Sequence, residues 1–197
     1  MKIFYKVSDK QLLKDKNDIF KEIGVLALKK NGFVLSPFKT SWNGQFNKSI
    51  NGYIYALCRL KDRKYLEIID VYISSEDRWI KIYLNIFKLS PELKLLNELS
   101  ENEGTKFGTS PNNLTRMRIR SDDYKGPPLF YMLFLPEHKI AKFYTKSGYE
   151  NALKKLKNLI QSDMENIENF VKRWHELHKP NLTDWEGNPA RQVYDLE

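Results

Sequence analysis

Three apolar runs dominate the middle of the chain, residues 53–60, 65–73 and 79–87. The polar clusters between them are too short for crossover helices, so the runs are predicted to be antiparallel strands joined by hairpins. Side chains alternate along a strand. The third run therefore has an aliphatic face, Ile80, Ile82, Leu84 and Ile86, and a mixed face, Trp79, Lys81, Tyr83, Asn85 and Phe87. We expect the aliphatic face to line a core.

Helices are predicted on both sides of these strands. Ser8 or Asp9 can cap a helix that reaches Asn31, and the following glycine is a stop signal because it adopts a positive φ without a Cβ clash. In the last third of the chain, apolar residues recur every three or four positions. Capping-box spacings begin at Ser147 and Ser162, which favours two consecutive helices, although one continuous helix fits the same stripe.

The other segments complete the prediction. Candidate strands are residues 1–7, 114–120, 129–135 and 140–144; a short helix is expected within 91–99, a loop that could be mobile at 101–113, and an irregular tail at 181–197. The chain is thus predicted to be a single α+β domain, residues 1–197. Its antiparallel sheet has about five or six strands, with the N-terminal helix and two C-terminal helices packed on one face.

This layout resembles a bacterial helix-sheet-helix family catalogued only as a domain of unknown function. The similar features are a helix that ends in Lys30-Asn31-Gly32-Phe33, an antiparallel meander, and Phe143-Tyr144 leading into paired C-terminal helices. The resemblance covers most of the chain. It supports the predicted fold, and it implies no catalytic motif and no function.

Composition restricts the function. The formal charge is +8, with 33 lysines and arginines against 25 acids, which favours a polyanionic partner without establishing one. The single cysteine, Cys58, excludes an internal disulfide and is predicted to be a small buried side chain. No apolar run approaches the roughly 18 residues of a membrane span, and the first residues lack a signal-peptide core, so we expect a cytoplasmic protein and no membrane partner.

A binding surface is predicted on the mixed face of the meander. Its candidate residues are Trp79, Lys81, Tyr83, Tyr53, Tyr55 and Arg59. Tryptophan, tyrosine and arginine are the residues that most often anchor protein interfaces. The same groups could stack nucleic-acid bases, or they could form a second buried face with the lysine stem extending to solvent.

A second candidate site is a row of arginines. Arg116, Arg118 and Arg120 alternate along a predicted strand, at a spacing that could follow successive phosphates. The alternative is that their charge protects an exposed sheet edge from aggregation. We predict nucleic-acid contact here only as the second choice.

Metal and cofactor chemistry have weak signals. His175 and His178 are three residues apart, whereas the zinc-protease helix needs a spacing of four, and histidines in a last helical turn are explained by the helix dipole. The triplets beginning at Glu92 and Glu137 have the acid-x-lysine spacing of metal-dependent nucleases, of which the second lies in the better context. Phosphate loops, nucleophile elbows and dinucleotide fingerprints do not occur. We predict no metal and no cofactor.

Without a catalytic constellation, the leading prediction is a non-enzymatic binding protein. Its partner is expected to be another protein, as for a bacterial immunity, antitoxin or regulatory module. Contact is expected through the mixed face or through residues 101–113. The alternative is a nucleic-acid-binding protein or metal-dependent nuclease that uses the arginine row.

Overall fold

A seven-stranded sheet is the centre of the structure, a computed structural model that describes residues 5–39, 43–124, 126–127 and 136–190. The strands are β1 (Val34–Leu35), β2 (Phe46–Asn47), β3 (Gly52–Lys61), β4 (Tyr65–Ser74), β5 (Lys81–Leu89), β6 (Met117–Arg118) and β7 (Asn181–Thr183). Along the sheet their order is β1-β3-β4-β5-β6, while β2 also pairs with β3 and β7 with β5. All pairings are antiparallel except that of β7 with β5.

The predicted meander is confirmed as β3, β4 and β5. Ten residues of β3 pair with β4, from Gly52 opposite Ser74 to Lys61 opposite Tyr65. The prediction of five or six strands is replaced by seven, because four of the strands are only two or three residues long. Segments that short contain no alternation from which a strand can be predicted.

One long N-terminal helical segment precedes the sheet. It consists of α1 (Asp9–Ile19), a π-helical turn (Phe20–Gly24) and α2 (Val25–Lys30). Ser8 caps it by accepting a hydrogen bond from the Gln11 amide. At the other end the Asn31 side-chain amide donates to the Met164 carbonyl oxygen, and Gly32 follows with a φ of 82°. The predicted helix and its stop signal are therefore both confirmed.

Two helices follow in the C-terminal third, α3 (Lys146–Glu165) and α4 (Ile167–Leu177). The prediction of two consecutive helices is confirmed, but the break falls at Asn166, four residues after the cap predicted at Ser162, and Ser162 lies within α3. The cap of α3 is Thr145 rather than Ser147, because the Thr145 hydroxyl accepts a hydrogen bond from the Gly148 amide. Thr145 is extended at φ −124° and ψ 164°, which is the backbone conformation that an N-cap needs.

The sheet has apolar cores on both faces. On the helix face, Leu57, Ile69 and Ile82 pack under the α-helices. A smaller core lies on the opposite face, which we call the second face. Its members include Cys58, Leu66, Phe87, Leu99 and Phe107. This second core lies under a segment of three 3-10 helices, Leu96–Glu101, Thr105–Gly108 and Asn112–Thr115. The α-helices pack on one face as predicted, but the other face is covered in part as well.

Several local predictions were wrong. Within 114–120 only Met117–Arg118 is a strand; residues 5–7 and 140–144 form none, and the helix expected within 91–99 is the 3-10 helix Leu96–Glu101. Residues 101–113 form a loop that contains the 3-10 helix Thr105–Gly108 with the buried Phe107, and the mobility of this loop stays a prediction; the tail predicted to be irregular begins with β7. The strand predicted at 129–135 lies outside the described residues, as do residues 1–4 and 191–197.

Candidate functional site

The six residues predicted to form one binding surface lie on two faces of the sheet. Tyr55 is opposite Val71, which is opposite Ile82, so Tyr53, Tyr55 and Arg59 belong to the helix face. Tyr55 is buried there, and its hydroxyl donates to the Asn17 side chain at 2.7 Å. The predicted grouping is corrected accordingly: these three residues do not join Trp79, Lys81 and Tyr83.

Arg59 connects the sheet to α4. Its guanidinium pairs with Glu67 of β4 at 2.5 Å and with Glu168 of α4. It also lies over the Phe33 ring, 4.5 Å from the ring centroid. With both acids and a ring in contact, Arg59 has an evident structural role.

Trp79, Lys81 and Tyr83 do lie together on the second face. Cationic side chains cover the rings of Trp79 and Tyr83. Arg118 lies 4.6 Å and Lys139 4.7 Å from the Trp79 ring centroid. Arg116 lies 3.9 Å from the Tyr83 centroid and 4.9 Å from that of Tyr72. We name this region the aromatic surface; it comprises Tyr72, Trp79, Lys81, Tyr83, Arg116 and Arg118, and all six side chains are partly exposed.

The predicted row of three arginines is not a row. Arg116 and Arg118 lie on the second face, but Arg120 has a φ of 68° and turns to the helix side. There its guanidinium donates to both carboxylate oxygens of Asp163, at 2.8 and 2.6 Å. A positive φ breaks strand alternation, which is why an alternating sequence did not produce an aligned set of cations.

Asp163 is the centre of a buried polar cluster that the sequence did not predict. Its Oδ2 is also 2.7 Å from His138 Nε2, and both side chains are almost fully buried. Burial raises the pKa of Asp163, but the hydrogen bonds from Arg120 and His138 outweigh it and leave that pKa below its usual range. The triplet that begins at Glu137, a nuclease candidate from its spacing, thus places its histidine against α3.

His175 and His178, considered as metal ligands, flank the buried Trp174 with ring centroids 5.3 and 5.4 Å away. Burial lowers the pKa of both imidazoles. No group of three or more potential metal ligands occurs within the described ranges of the chain.

A cleft of about 280 Å³ opens beside the aromatic surface, between the sheet and the 3-10 segment. Its lining has an apolar part, Ala56, Ile68, Phe87, Phe38 and Phe107, and a polar end, Asp70, Tyr72 and Arg116. Within the apolar run 65–73, Asp70 is the one acid whose side chain lies on the second face. A charged residue inside an apolar run is unusual, and this is the signal by which the sequence could have revealed the site.

The polar end of the cleft is an incompletely bonded ion pair. Arg116 Nη2 is 3.5 Å from Asp70 Oδ2, yet neither Nη2 nor Nε of this guanidinium has a hydrogen-bond partner in the described part of the chain. Burial raises the pKa of Asp70, and the Arg116 charge opposes that increase. Both nitrogens are enclosed by the protein, and the guanidinium packs on the Tyr72 and Tyr83 rings beside the Asp70 charge.

Comparison of the chain with protein-family models, with curated proteins and with solved structures finds no match. The resemblance to a bacterial helix-sheet-helix family therefore stays a prediction. Among the helices that the structure describes, none has the length and apolar character to cross a membrane.

Proposed function

We propose that this chain is a non-enzymatic binding module that contacts a partner protein through the aromatic surface. The observation that carries the proposal is the set of partly exposed rings, Trp79, Tyr83 and Tyr72, held in place by stacked guanidinium groups. Tyrosine and tryptophan lose little conformational freedom on binding, and together with arginine they are the commonest anchors of interfaces.

Two observations favour a protein partner over nucleic acid. The arginine row is divided, since Arg120 is paired with Asp163 and Arg116 lies beside Asp70. In addition, cations already lie over the Trp79 and Tyr83 rings, on which bases would otherwise stack. Nucleic-acid binding, with or without a metal-dependent nuclease activity, is kept as the alternative because the chain carries a net charge of +8.

The proposed biological role is part of the same proposal and rests on the bacterial layout that the chain resembles together with the lack of a catalytic motif in its sequence. We assign the chain to a bacterial immunity, antitoxin or regulatory role in the cytoplasm, with one protein partner. These roles depend on tight recognition rather than on turnover. They need no cofactor.

The test is a pull-down from the native host lysate with the chain and two variants, each with and without nuclease treatment. Trp79→Ala removes the tryptophan ring of the aromatic surface, which Arg118 and Lys139 cover. The matched control is Phe46→Ala, which removes another partly exposed ring, 49% exposed, that packs on Tyr53 at the helix-face side. Denaturant unfolding of both variants separates lost binding from lost folding.

We expect one protein in stoichiometric amount, retained by the chain and by Phe46→Ala, lost with Trp79→Ala, and insensitive to nuclease. Equal retention by both variants would contradict the assignment of the surface. Nucleic acid that is retained at low salt and released at high salt would instead support the alternative, since bound phosphates release counterions.

A further inference from the structure

Asp70 is a carboxylate that lines the cleft and that the described protein does not bond. It lies at the polar end of the lining, and its side chain is 22% exposed. Within the described part of the chain no group donates a hydrogen bond to it, and both of its oxygens are accessible to solvent, unlike Nε and Nη2 of Arg116. An ionised carboxylate has about four acceptor positions, so Asp70 can accept a hydrogen bond from a molecule in the cleft.

The space beside Asp70 results from small residues on both sides of the cleft. In the sheet, Ala56 of β3 pairs directly with Asp70 of β4. Its methyl group leaves room that a larger side chain would fill. On the opposite side, the 3-10 segment lines the cleft with Gly104 and Gly108, which carry no side chain. The sheet surface next to Asp70 is therefore open to a ligand.

The apolar part of the lining is suited to an aromatic ring. Phe107 contacts Phe38 and Phe87, with ring centroids 5.4 and 4.8 Å apart. Ile68 lies on the same face of β4 as Asp70, two residues away, which corresponds to about 6 to 7 Å along the strand. A ring placed over Ile68 thus directs a substituent toward Asp70. A volume of about 280 Å³ admits such a ring rather than a large cofactor.

The charge next to Asp70 selects a neutral donor. Arg116 Nη2 is 3.5 Å from Asp70 Oδ2, so the carboxylate already has a countercharge. A ligand ammonium group would be attracted by Asp70 and repelled by this guanidinium, while it still lost its hydration. A ligand carboxylate would be repelled by Asp70 and would find Nε and Nη2 of Arg116 enclosed. A neutral hydroxyl group has a smaller desolvation cost, and its hydrogen bond to a carboxylate is short and strong.

We propose that the cleft binds a phenol, with the ring packed against Phe38, Phe107 and Ile68 and the hydroxyl group donating to the Asp70 carboxylate. The phenol belongs either to a free small molecule or to the tyrosine side chain of a peptide. This inference goes beyond the proposed function, because the cleft binds a phenol whether or not a partner protein contacts the aromatic surface.

A series of para-substituted toluenes tests this chemistry. At pH 7, para-cresol, para-fluorotoluene, para-toluate and para-methylbenzylamine present the same ring with a neutral donor, a substituent that cannot donate, an anion and a cation. Each is titrated into the 15N-labelled chain. We expect para-cresol to shift the backbone amide signals of Gly104 and Gly108, which line the cleft, and to leave the signal of Gly24 in the N-terminal helical segment unchanged.

The affinities decide the proposal. Para-cresol should bind about tenfold more tightly than para-fluorotoluene, which is the effect of one hydrogen bond to a charged group, and more tightly than either ion. Equal affinities of para-cresol and para-fluorotoluene, a preference for an ion, or no binding of para-cresol would overturn the proposal. These outcomes are measured on the unmodified chain and need no variant to fold.

Two substitutions in the sheet make the test specific. Asp70→Asn replaces the carboxylate with a neutral acceptor of similar size, so the preference for para-cresol over para-fluorotoluene should fall to about threefold, because a hydrogen bond to a neutral group is about half as strong. Ala56→Leu fills the space beside Asp70 and should abolish binding of both probes. Retained dispersion of the amide signals shows that each variant is folded. An unchanged preference in folded Asp70→Asn, or undiminished binding to folded Ala56→Leu, would contradict the assignment.

A last arm distinguishes the two sources of the phenol. N-acetyltyrosine amide carries the same phenol on a peptide unit. Tighter binding of this probe than of para-cresol indicates a peptide ligand, and weaker binding indicates a free small molecule. Trp79→Ala, which removes a ring outside the cleft lining, should leave para-cresol binding unchanged, so failure of the proposed partner interaction and failure of the phenol site are distinguishable.

Discussion

Lys16 provides the sharpest test of the described packing. This lysine of α1 is fully buried, and its ammonium donates to the carbonyl oxygens of Ser74 and Asp77, at 2.5 Å each. The Asp77 carboxylate is 4.0 Å away. Burial lowers the pKa of Lys16 from 10.5 to about 8, although the Asp77 charge opposes the decrease. Such a change makes stability depend on pH.

The direction of this pH dependence follows from the difference in proton binding between the folded and the unfolded chain. Between pH 8 and 10.5 the unfolded chain holds the Lys16 proton more strongly than the folded chain does, so the free energy of unfolding rises with pH. A tenfold change in proton affinity is worth about 1.4 kcal/mol, and the decrease in pKa therefore corresponds to about 3 kcal/mol over this interval. Below pH 8 that contribution is absent.

The assay compares the chain with Lys16→Met in urea at pH 7, 8, 9 and 10. Methionine keeps most of the side-chain volume and removes the titrating group. The stability difference, native chain minus variant, should increase with pH, because all other titrating groups are common to both proteins. Lys10→Met, an exposed position on the same helix, is the control and should show a difference that hardly changes with pH. A difference for Lys16→Met that is constant or decreases with pH would refute the reasoning.

Three further predictions concern stability in denaturant. Gly52→Ala should lower the free energy of unfolding by about 3 kcal/mol, because a Cβ there would lie 2.0 Å from the Ile73 carbonyl oxygen. Gly108→Ala should stay within about 0.5 kcal/mol, because a Cβ there would meet nothing within 4 Å in the described part of the chain, apart from its own residue and its two chain neighbours. Arg63→Gly should add about 1 kcal/mol, since φ is 60° in this hairpin turn, and an unchanged or lower unfolding midpoint would contradict it. Asp163→Asn should cost about 3 kcal/mol by removing the buried carboxylate charge that pairs with Arg120; a change below 1 kcal/mol would contradict this.

The fold could be predicted where a hydrophobic pattern continues over many residues of the sequence. The meander, the N-terminal helix with its stop at Asn31, and the presence of two C-terminal helices follow from alternation or capping signals, although the break between the two helices lies at Asn166 rather than at Ser162. The sequence alone does not predict which side chains of neighbouring strands lie on the same face of the sheet. The pairing register decides this, and it places Tyr55 with Ile82 on the helix face and away from Tyr83.

The candidate site was only partly predictable for a related reason. The exposed cluster of Trp79, Lys81 and Tyr83 follows from alternation within one strand. Two features depend on tertiary contacts instead: the reversal of Arg120 toward Asp163, and the cleft formed when the 3-10 segment around Phe107 packs on the sheet. Neither has a periodic signal, because each depends on a single backbone angle or on contacts between distant segments.

The most direct test of the central claim is a calorimetric titration of the purified chain with the protein retained in the pull-down. The same titration is repeated with Trp79→Ala and with Phe46→Ala. We expect Trp79→Ala to weaken the affinity by at least about tenfold, or 1.4 kcal/mol, while its unfolding midpoint stays close to that of the native chain. Undiminished affinity of a folded Trp79→Ala protein would contradict the claim that the aromatic surface is the binding site.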